Sequence, residues 1–241
     1  MSPWKDRYLN ICSYRSLNQI TVFKYGIISI ILSLLISSTA LGVVTVDHTG
    51  VIVCSPSVIT DHDSDICIIP ELFFQPSFSF AELLQSLKFD RRFKSGRHTL
   101  LFGNMPYNYG TVSHVPKNFS DNRFVCEMLD FVNHNFPCFG LNSCLINYYP
   151  NSSSSIPDHS DDELSIAENS FIVTISLGSR RRIFFKEIIS GSRLCSVTLN
   201  DGSILIFSKK SQSFFTHGIP PSLTDADDYT PRISATFRNL N

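Results

Sequence analysis

No two of the seven cysteines stand in a C-x-x-C pair, and an odd number spread over positions 12, 54, 67, 126, 138, 144 and 195 suggests neither a zinc ribbon nor a disulfide framework. A reducing compartment is the expectation that follows. Charge is scarce too: 17% of the 241 residues are charged, and 20 basic against 21 acidic residues leave a net charge of −1. That balance excludes a strongly basic nucleic-acid binder at whole-chain level, although charge can still be segregated locally. No internal repeat is evident. No cupin-like H-x-H pair occurs, so His48, His62, His98, His114 and His134 read as ordinary surface or core residues. With 43% hydrophobic residues the chain can bury a sizeable core, which excludes a disordered tail.

The longest uncharged run is YGIISIILSLLISSTALGVVTV, residues 25–46, about the length a helix needs to span a bilayer. Its serines, threonines and β-branched residues suit buried strands or a processed targeting segment equally well. If it spans, Lys5, Arg7, Arg15 and Lys24 before it and the acids after it place the N-terminus in the cytosol and translocate the rest. The pattern changes near residue 70, so residues 1–69 are expected to be an N-terminal extension and 70–241 a separate domain.

Beyond that boundary, FSFAELLQSLKFDRRFK and RFVCEMLDFVNHNF carry apolar residues at helical spacing. Between them GRHTLLFGNMPYNYGTVSH, dense in Gly, Asn and aromatics, reads as a loop. From Cys144 onward the pattern is β: CLINYYP, FIVTISLG, RRIFFKEI, LCSVTL, SILIFS and RISATFRNL, with Asn200-Asp201-Gly202 as a hairpin signal between two of them. No ten-residue helical pattern interrupts these strands. The expected fold is therefore an all-β core with flanking helices (α+β), a jelly-roll-like double sheet and not a parallel βαβ sheet.

One stretch concentrates metal-ligating groups. IPDHSDDE, residues 156–163, holds one histidine and four acids. On an extended segment the period of two places His159 and Asp161 on one face, where imidazole and carboxylate can grip one ion. His217, after the strand-like SILIFS, is the best third ligand. Two His and one carboxylate leave coordination positions open, as expected of non-haem Fe(II) oxygenases; an H-x-D pair alone is common by chance, and acids after a turn are usually a solvated loop. At the C-terminus, Arg232, Ser234, Thr236 and Arg238 share one strand face. The two arginines are roughly 20 Å apart at about 3.3 Å per residue, so they bracket a site and suit an anionic co-substrate with two ends. Two surface arginines are the plainer alternative.

CLINYYP, IPDHSDDE, TISLGSRRRIFFK, LNDGSILIFS, FFTHGIPP and RISATFR, in this order over about residues 97–241, resemble the catalytic domain of AlkB-type iron(II) and 2-oxoglutarate-dependent dioxygenases, particularly those of plant RNA-virus replicases. The resemblance implies a double-stranded β-helix with an N-terminal nucleotide-recognition lid, and Fe(II), 2-oxoglutarate and dioxygen as cofactors. It implies that His159, Asp161 and His217 hold the metal. Arg232 would pair with the distal carboxylate of 2-oxoglutarate beside Asn147 and Tyr149, and Arg238 matches a second arginine near the metal. Ser234 stands where relatives often have Asn, which puts one cofactor contact in doubt. The spacing from Asn147 to His159 is slightly long, and Ser152 to Ser155 are expected to absorb it as a flexible turn.

The implied reaction is oxidative demethylation of an alkylated nucleobase in RNA or single-stranded DNA, with 2-oxoglutarate decarboxylated to succinate and formaldehyde released. Phe102, Tyr107 and Tyr109 of the lid and Glu163 are then the expected base contacts, since a base methyl is reached only on an unpaired or flipped nucleotide. Residues 180–210 carry an excess of five positive charges, from Arg180, Arg181, Arg182, Lys186, Arg193, Lys209 and Lys210 against Glu187 and Asp201, which suits phosphates or a solvated sheet face. A peptide hydroxylase or demethylase with the same iron chemistry is the competing function. Ferrous iron favours a reducing compartment (cytoplasm, nucleus or mitochondrion), which conflicts with translocation; membrane association through 25–46 remains the alternative reading of the N-terminus.

Overall fold

The computed structural model describes residues 74–109, 112–222 and 231–241, together with four upstream strands: β1 (Thr21–Phe23), β2 (Thr45–Val46), β3 (Ile52–Cys54) and β4 (Ile66–Ile69). Apart from Thr45 and Val46, the hydrophobic segment 25–46 lies outside the described residues. Among the described residues no helix is long and apolar enough to cross a membrane. Cys126, Cys144 and Cys195 are free thiols, but Cys138 is disulfide-bonded, which the scattered cysteines did not lead us to expect.

Two sheets face each other. The larger contains β4, β5 (Arg91–Arg92), β6 (His98–Gly103), β9 (Ser143–Tyr149), β11 (Phe171–Gly178), β14 (Ile204–Ser208) and β16 (Arg232–Arg238), in the order β4-β14-β11-β16-β9-β6-β5. The smaller contains β10 (Ile156–His159), β12 (Arg181–Glu187), β13 (Arg193–Leu199) and β15 (Phe215–Ile219), in the order β10-β15-β12-β13. This mostly antiparallel double sheet is the expected jelly roll, and its strands coincide with the Ile-, Val- and Phe-rich runs of the sequence. Alternation along the large sheet separates two cores. Leu100, Ile146, Ile233 and Phe237 face outward against the helices, whereas Leu101, Leu145, Ile172 and Phe207 face the small sheet.

The outer face is covered by α1 (Phe80–Ser86) and α2 (Arg123–Asn135). α1 starts at a capping box in which Ser79 and Glu82 satisfy each other's backbone donors. It is shorter than the periodicity suggested, because the chain turns extended at Leu87 and Arg91 and Arg92 pair with Thr99 and His98. α2 begins where the Asn122 side chain accepts from the amides of Phe124 and Val125. It lays Phe124, Val125, Met128 and Val132 on the sheet.

Three expectations change. The segment between the helices is not one loop: its first half is β6, a central strand paired with β9, and only β7 (Tyr107–Tyr109) and β8 (Val112–His114) form a separate hairpin. The Asn200-Asp201-Gly202 turn forms, with Gly202 at φ 70°, but it joins β13 of the small sheet to β14 of the large one and closes no hairpin. Asp201 is drawn across the gap, where its carboxylate accepts from the Gly178 amide at 2.8 Å. Finally, the serine turn is held, not loose: the Asn151 side chain accepts from the Ser153 and Ser154 hydroxyls, and buried Arg181 donates to the Ser154 carbonyl at 2.8 Å.

Candidate metal and co-substrate site

Strands β10 and β15 run antiparallel with His159 directly opposite His217 and Ile156 opposite Ile219. Three steps on one strand match two on the other, so β10 carries a bulge between Ile156 and His159. The extra residue changes the facing of His159: strict alternation from inward-facing Ile156 would point it out of the barrel. Asp158 takes the outward place and lies over Gly218, where a Cβ would come within 2.6 Å of its Oδ1. Lys186 holds the Asp158 carboxylate from β12, across β15.

Asp161 does not continue the strand, which ends at His159. It is fixed by other groups. Arg238 Nη2 donates to Oδ2 at 2.6 Å, and the Asp161 amide donates to Gln212 Oε1 at 3.0 Å. The ligand atoms of His159, Asp161 and His217 all lie within 4.8 Å of one another. His159 Nδ1 lies 2.8 Å from the Pro157 carbonyl, which leaves Nε2, 3.8 Å from Asp161 Oδ1, for an ion. Asp161 Oδ1 and His217 Nδ1 are buried without a hydrogen-bond partner.

The electrostatics suit a cation. Burial pushes the His217 imidazole down to about 3, helped by His159 and Arg238, and burial lowers His159 as well. Burial acts to raise Asp161, but Arg238 and the two imidazoles outweigh it and hold the carboxyl at about 2. At neutral pH the cluster is two neutral imidazoles and one carboxylate, the protonation states that metal ligands require. The donor set fits Fe(II).

From these residues a pocket runs between the sheets to Arg232, past Thr174, Ser234 and Thr236. Arg232 is 1% exposed and donates through Nη2 to Ser176 Oγ at 2.8 Å, but its Nε and Nη1 have no partner. Burial lowers its pKa to about 10, which leaves it a cation at neutral pH. Tyr149 is its partner across the strands, with the guanidinium 5.3 Å from the ring. A buried cation with two free donors at the end of a pocket fits a carboxylate. Ser234, directly across from Asn147, lines the same wall. Arg238 sits at the metal end. Burial disfavours its charge, but Asp161 overrides this and raises its pKa.

Asn147 does not accompany Arg232. Its Oδ1 instead accepts from Arg97 Nη1, and Arg97 is a buried pocket residue that the sequence patterns did not single out. Its only signal was position, immediately before β6. Tyr109 lines the pocket edge-on to His159 at 5.4 Å between ring centroids, and burial pushes its hydroxyl up to about 12. Tyr107 is buried, with its hydroxyl donating to Glu163 at 2.8 Å and Arg238 4.8 Å from its ring. Burial and the neighbouring Asp161 raise the Glu163 carboxyl. Phe102 is a correction: it lies on the outward face of β6, packed on Phe119 in the helix-side core, because the period of two turns it away from Leu101 and the pocket. Of the basic stretch 180–210, Arg180, Arg182, Arg193 and Lys210 stay exposed. Arg181 and Lys209 are buried on backbone carbonyls, Lys186 is paired with Asp158, and Arg193 covers the Phe184 ring.

The model of the 2OG-Fe(II) oxygenase superfamily matches residues 94–238, which include every pocket residue described above. The chain belongs to this superfamily. Membership implies Fe(II), 2-oxoglutarate and dioxygen as cofactors of this oxygenase. It is 25% identical over 162 residues to the alpha-ketoglutarate-dependent dioxygenase alkB homolog 3 of Bos taurus, covering 63% of this chain and 54% of that protein. It is 28% identical over 107 residues to the human DNA oxidative demethylase ALKBH2, covering 42% of this chain and 40% of that one. The oxygenase thus spans about half the length of the first of these relatives. The solved structure of OsALKBH1 superposes with a TM-score of 0.50 at 16% identity over 72% of this chain and 96% of that one, which shows the shared jelly roll.

Proposed function

We propose that this oxygenase oxidatively demethylates alkylated nucleobases in RNA or single-stranded DNA, with 2-oxoglutarate converted to succinate and formaldehyde released. The observation that carries the reading is one pocket with a His159, Asp161 and His217 cluster at one end and a buried arginine with two unpartnered donors at the other. Similarity to relatives named as a DNA oxidative demethylase and as alkB homologs supports the substrate class. In this reading residues 70–241 form the catalytic domain and 1–69 an extension whose last described strand, β4, pairs with β14 at the edge of the large sheet. The order of motifs favours the kinship with replicase-borne AlkB domains and therefore RNA. A reducing compartment suits ferrous iron.

The residues divide the work. His159 Nε2, Asp161 Oδ1 and a His217 ring nitrogen hold Fe(II); Arg232, with Tyr149, takes the distal carboxylate of 2-oxoglutarate, while Ser234 lines its path and Asn147, oriented by Arg97, borders it. With iron, 2-oxoglutarate and dioxygen bound, the chemistry supplied is insertion of one oxygen into a methyl C–H bond, coupled to loss of CO2 from the co-substrate. Leu145, Ile183, Leu199 and Phe207 exclude bulk water around it. Arg238 keeps Asp161 ionised and fixes one of its oxygens, so the other remains for the metal. In this reading Tyr109, which lines the pocket beside His159, meets a flipped base by ring contact, and the Tyr107–Glu163 pair supplies hydrogen bonds to its polar edge.

Mass spectrometry of methylated single-stranded RNA and DNA after incubation with the protein, Fe(II) and 2-oxoglutarate tests this, with His159→Ala as control and succinate followed in parallel. The expected result is loss of about 14 mass units from a base, dependent on His159. Succinate formation without base repair would move the substrate to peptides. Neither product from folded, iron-loaded protein would sink the reading.

A further inference from the structure

The ladder between β10 and β15 stops at His159 and His217, yet the next ligand, Asp161, lies two residues beyond it and is 1% exposed. Its backbone amide has left the sheet and would be an unsatisfied buried donor. Gln212, 51 residues away, meets it with Oε1 at 3.0 Å. Gln212 is itself 2% exposed and sits in a 3-10 turn (residues 210–213) that leads into β15 and His217.

The glutamine amide is held in one orientation. Its Nε2 donates to Ser211 Oγ at 2.8 Å, and the Ser211 hydroxyl donates to the Ser208 carbonyl at 2.6 Å. With the nitrogen side engaged, the oxygen is left for Asp161. A second bond closes the same gap, where Ser160 Oγ donates to the Phe215 carbonyl at 3.0 Å. Residues 160 and 161 are thus fastened by side chains to the segment that carries His217, at the point where sheet pairing no longer does so.

We infer that Gln212 is a positioning residue for the metal: through the Asp161 amide it sets the carboxylate at the distance from His217 that one ion requires. This rests on the iron site proposed above. Arg238 fixes one carboxylate oxygen from the opposite sheet, but a carboxylate held at one oxygen still swings about that contact if its backbone is free. Gln212 removes this freedom without touching metal, co-substrate or substrate. Groups that orient ligands in this way typically change metal affinity by about 10- to 100-fold when removed.

The test is anaerobic titration of the full chain with Fe(II), and separately with Co(II) read by its visible absorption, for wild type, Gln212→Met and Gln212→Glu. Met keeps the volume and removes the acceptor; Glu keeps both. Gln212→Met is expected to weaken both metals by about 10- to 100-fold and to alter the Co(II) bands. Gln212→Glu is expected to stay within about threefold of wild type. If the Met variant does not fold, Gln212→Asn, one methylene short of the Asp161 amide, is expected to show the same loss. Wild-type affinity and spectrum in the Met or Asn variant would overturn the inference while leaving the iron site standing. A wild-type protein that takes up neither metal would overturn both.

Discussion

The buried arginines differ in what their loss exposes. Arg232 has two donors without a partner, so replacing it would remove the co-substrate contact proposed above. For Arg232→Lys, which keeps the charge but not the fork, the KM for 2-oxoglutarate is expected to rise about 10- to 100-fold, read from succinate formation. Arg238 neutralises a buried carboxylate, so Arg238→Met leaves Asp161 uncompensated. The expected cost is about 3–5 kcal/mol in urea unfolding of the metal-free protein. His114, on the β7–β8 hairpin, adds a pH dependence. Burial, with Arg91 and Arg97 adding to it, lowers its folded pKa to about 4 against 6.5 unfolded. The unfolded chain therefore takes up the proton first, so stability is complete above pH 6.5 and is lost as pH falls towards 4. The difference is on the order of 3 kcal/mol, and urea unfolding of wild type against His114→Gln at pH 7.5 and 4.5 measures it.

At the level of elements, the bulge in β10 turns His159 into the pocket. Gly218 permits it, because Asp158 lies where a side chain would stand. Gly218→Ala would bring a Cβ within 2.6 Å of Asp158 Oδ1 and 3.0 Å of its backbone nitrogen, so the carboxylate must move and the backbone of β10 must give by a few tenths of an ångström. Expected are a lower melting temperature and weaker Fe(II) binding, measured by thermal unfolding and metal titration; unchanged values for both would show that the strand absorbs the methyl. β6 carries the opposite lesson. Its Gly- and Asn-flanked, aromatic-rich sequence reads as a loop, but pairing with β9 makes it a strand, since tertiary pairing overrides weak local signals. Phe102 went to the core with it.

For the whole molecule, candidate ligands from two segments far apart in the chain, His159 and Asp161 on one and His217 on the other, couple metal binding to folding. A ligand that binds only the folded state stabilises it by about 2.7 kcal/mol at a hundred times its Kd. Adding Fe(II) or Co(II) anaerobically is therefore expected to raise the melting temperature by several degrees and EDTA to reverse this, whereas His217→Ala should show no such rise. The two sheets supply different functions: the small one carries both histidines, and the large one carries Arg232, Ser234 and Arg238. The pocket exists because they face each other.

The sequence by itself determined most strands beyond Cys144 and most of the site's candidate residues. Period-two runs mark which residues leave water, and the H-x-D pair, the distant His217 and the Arg232–Arg238 face are local or single-residue patterns that need no partner to be visible. What only the tertiary structure decided depends on groups far apart in the chain: the bulge that aims His159, the Arg97–Asn147 contact, the burial of Phe102 and the pairing of Lys186 with Asp158. Gln212 belongs to the same class, since a hydrogen bond across 51 residues has no signature in the spacing of either partner. The physical reason is common to all of them. Burial on one strand face is a local property of alternation, whereas the partner of a buried polar group is chosen by whatever the closed sheets bring within 3 Å of it.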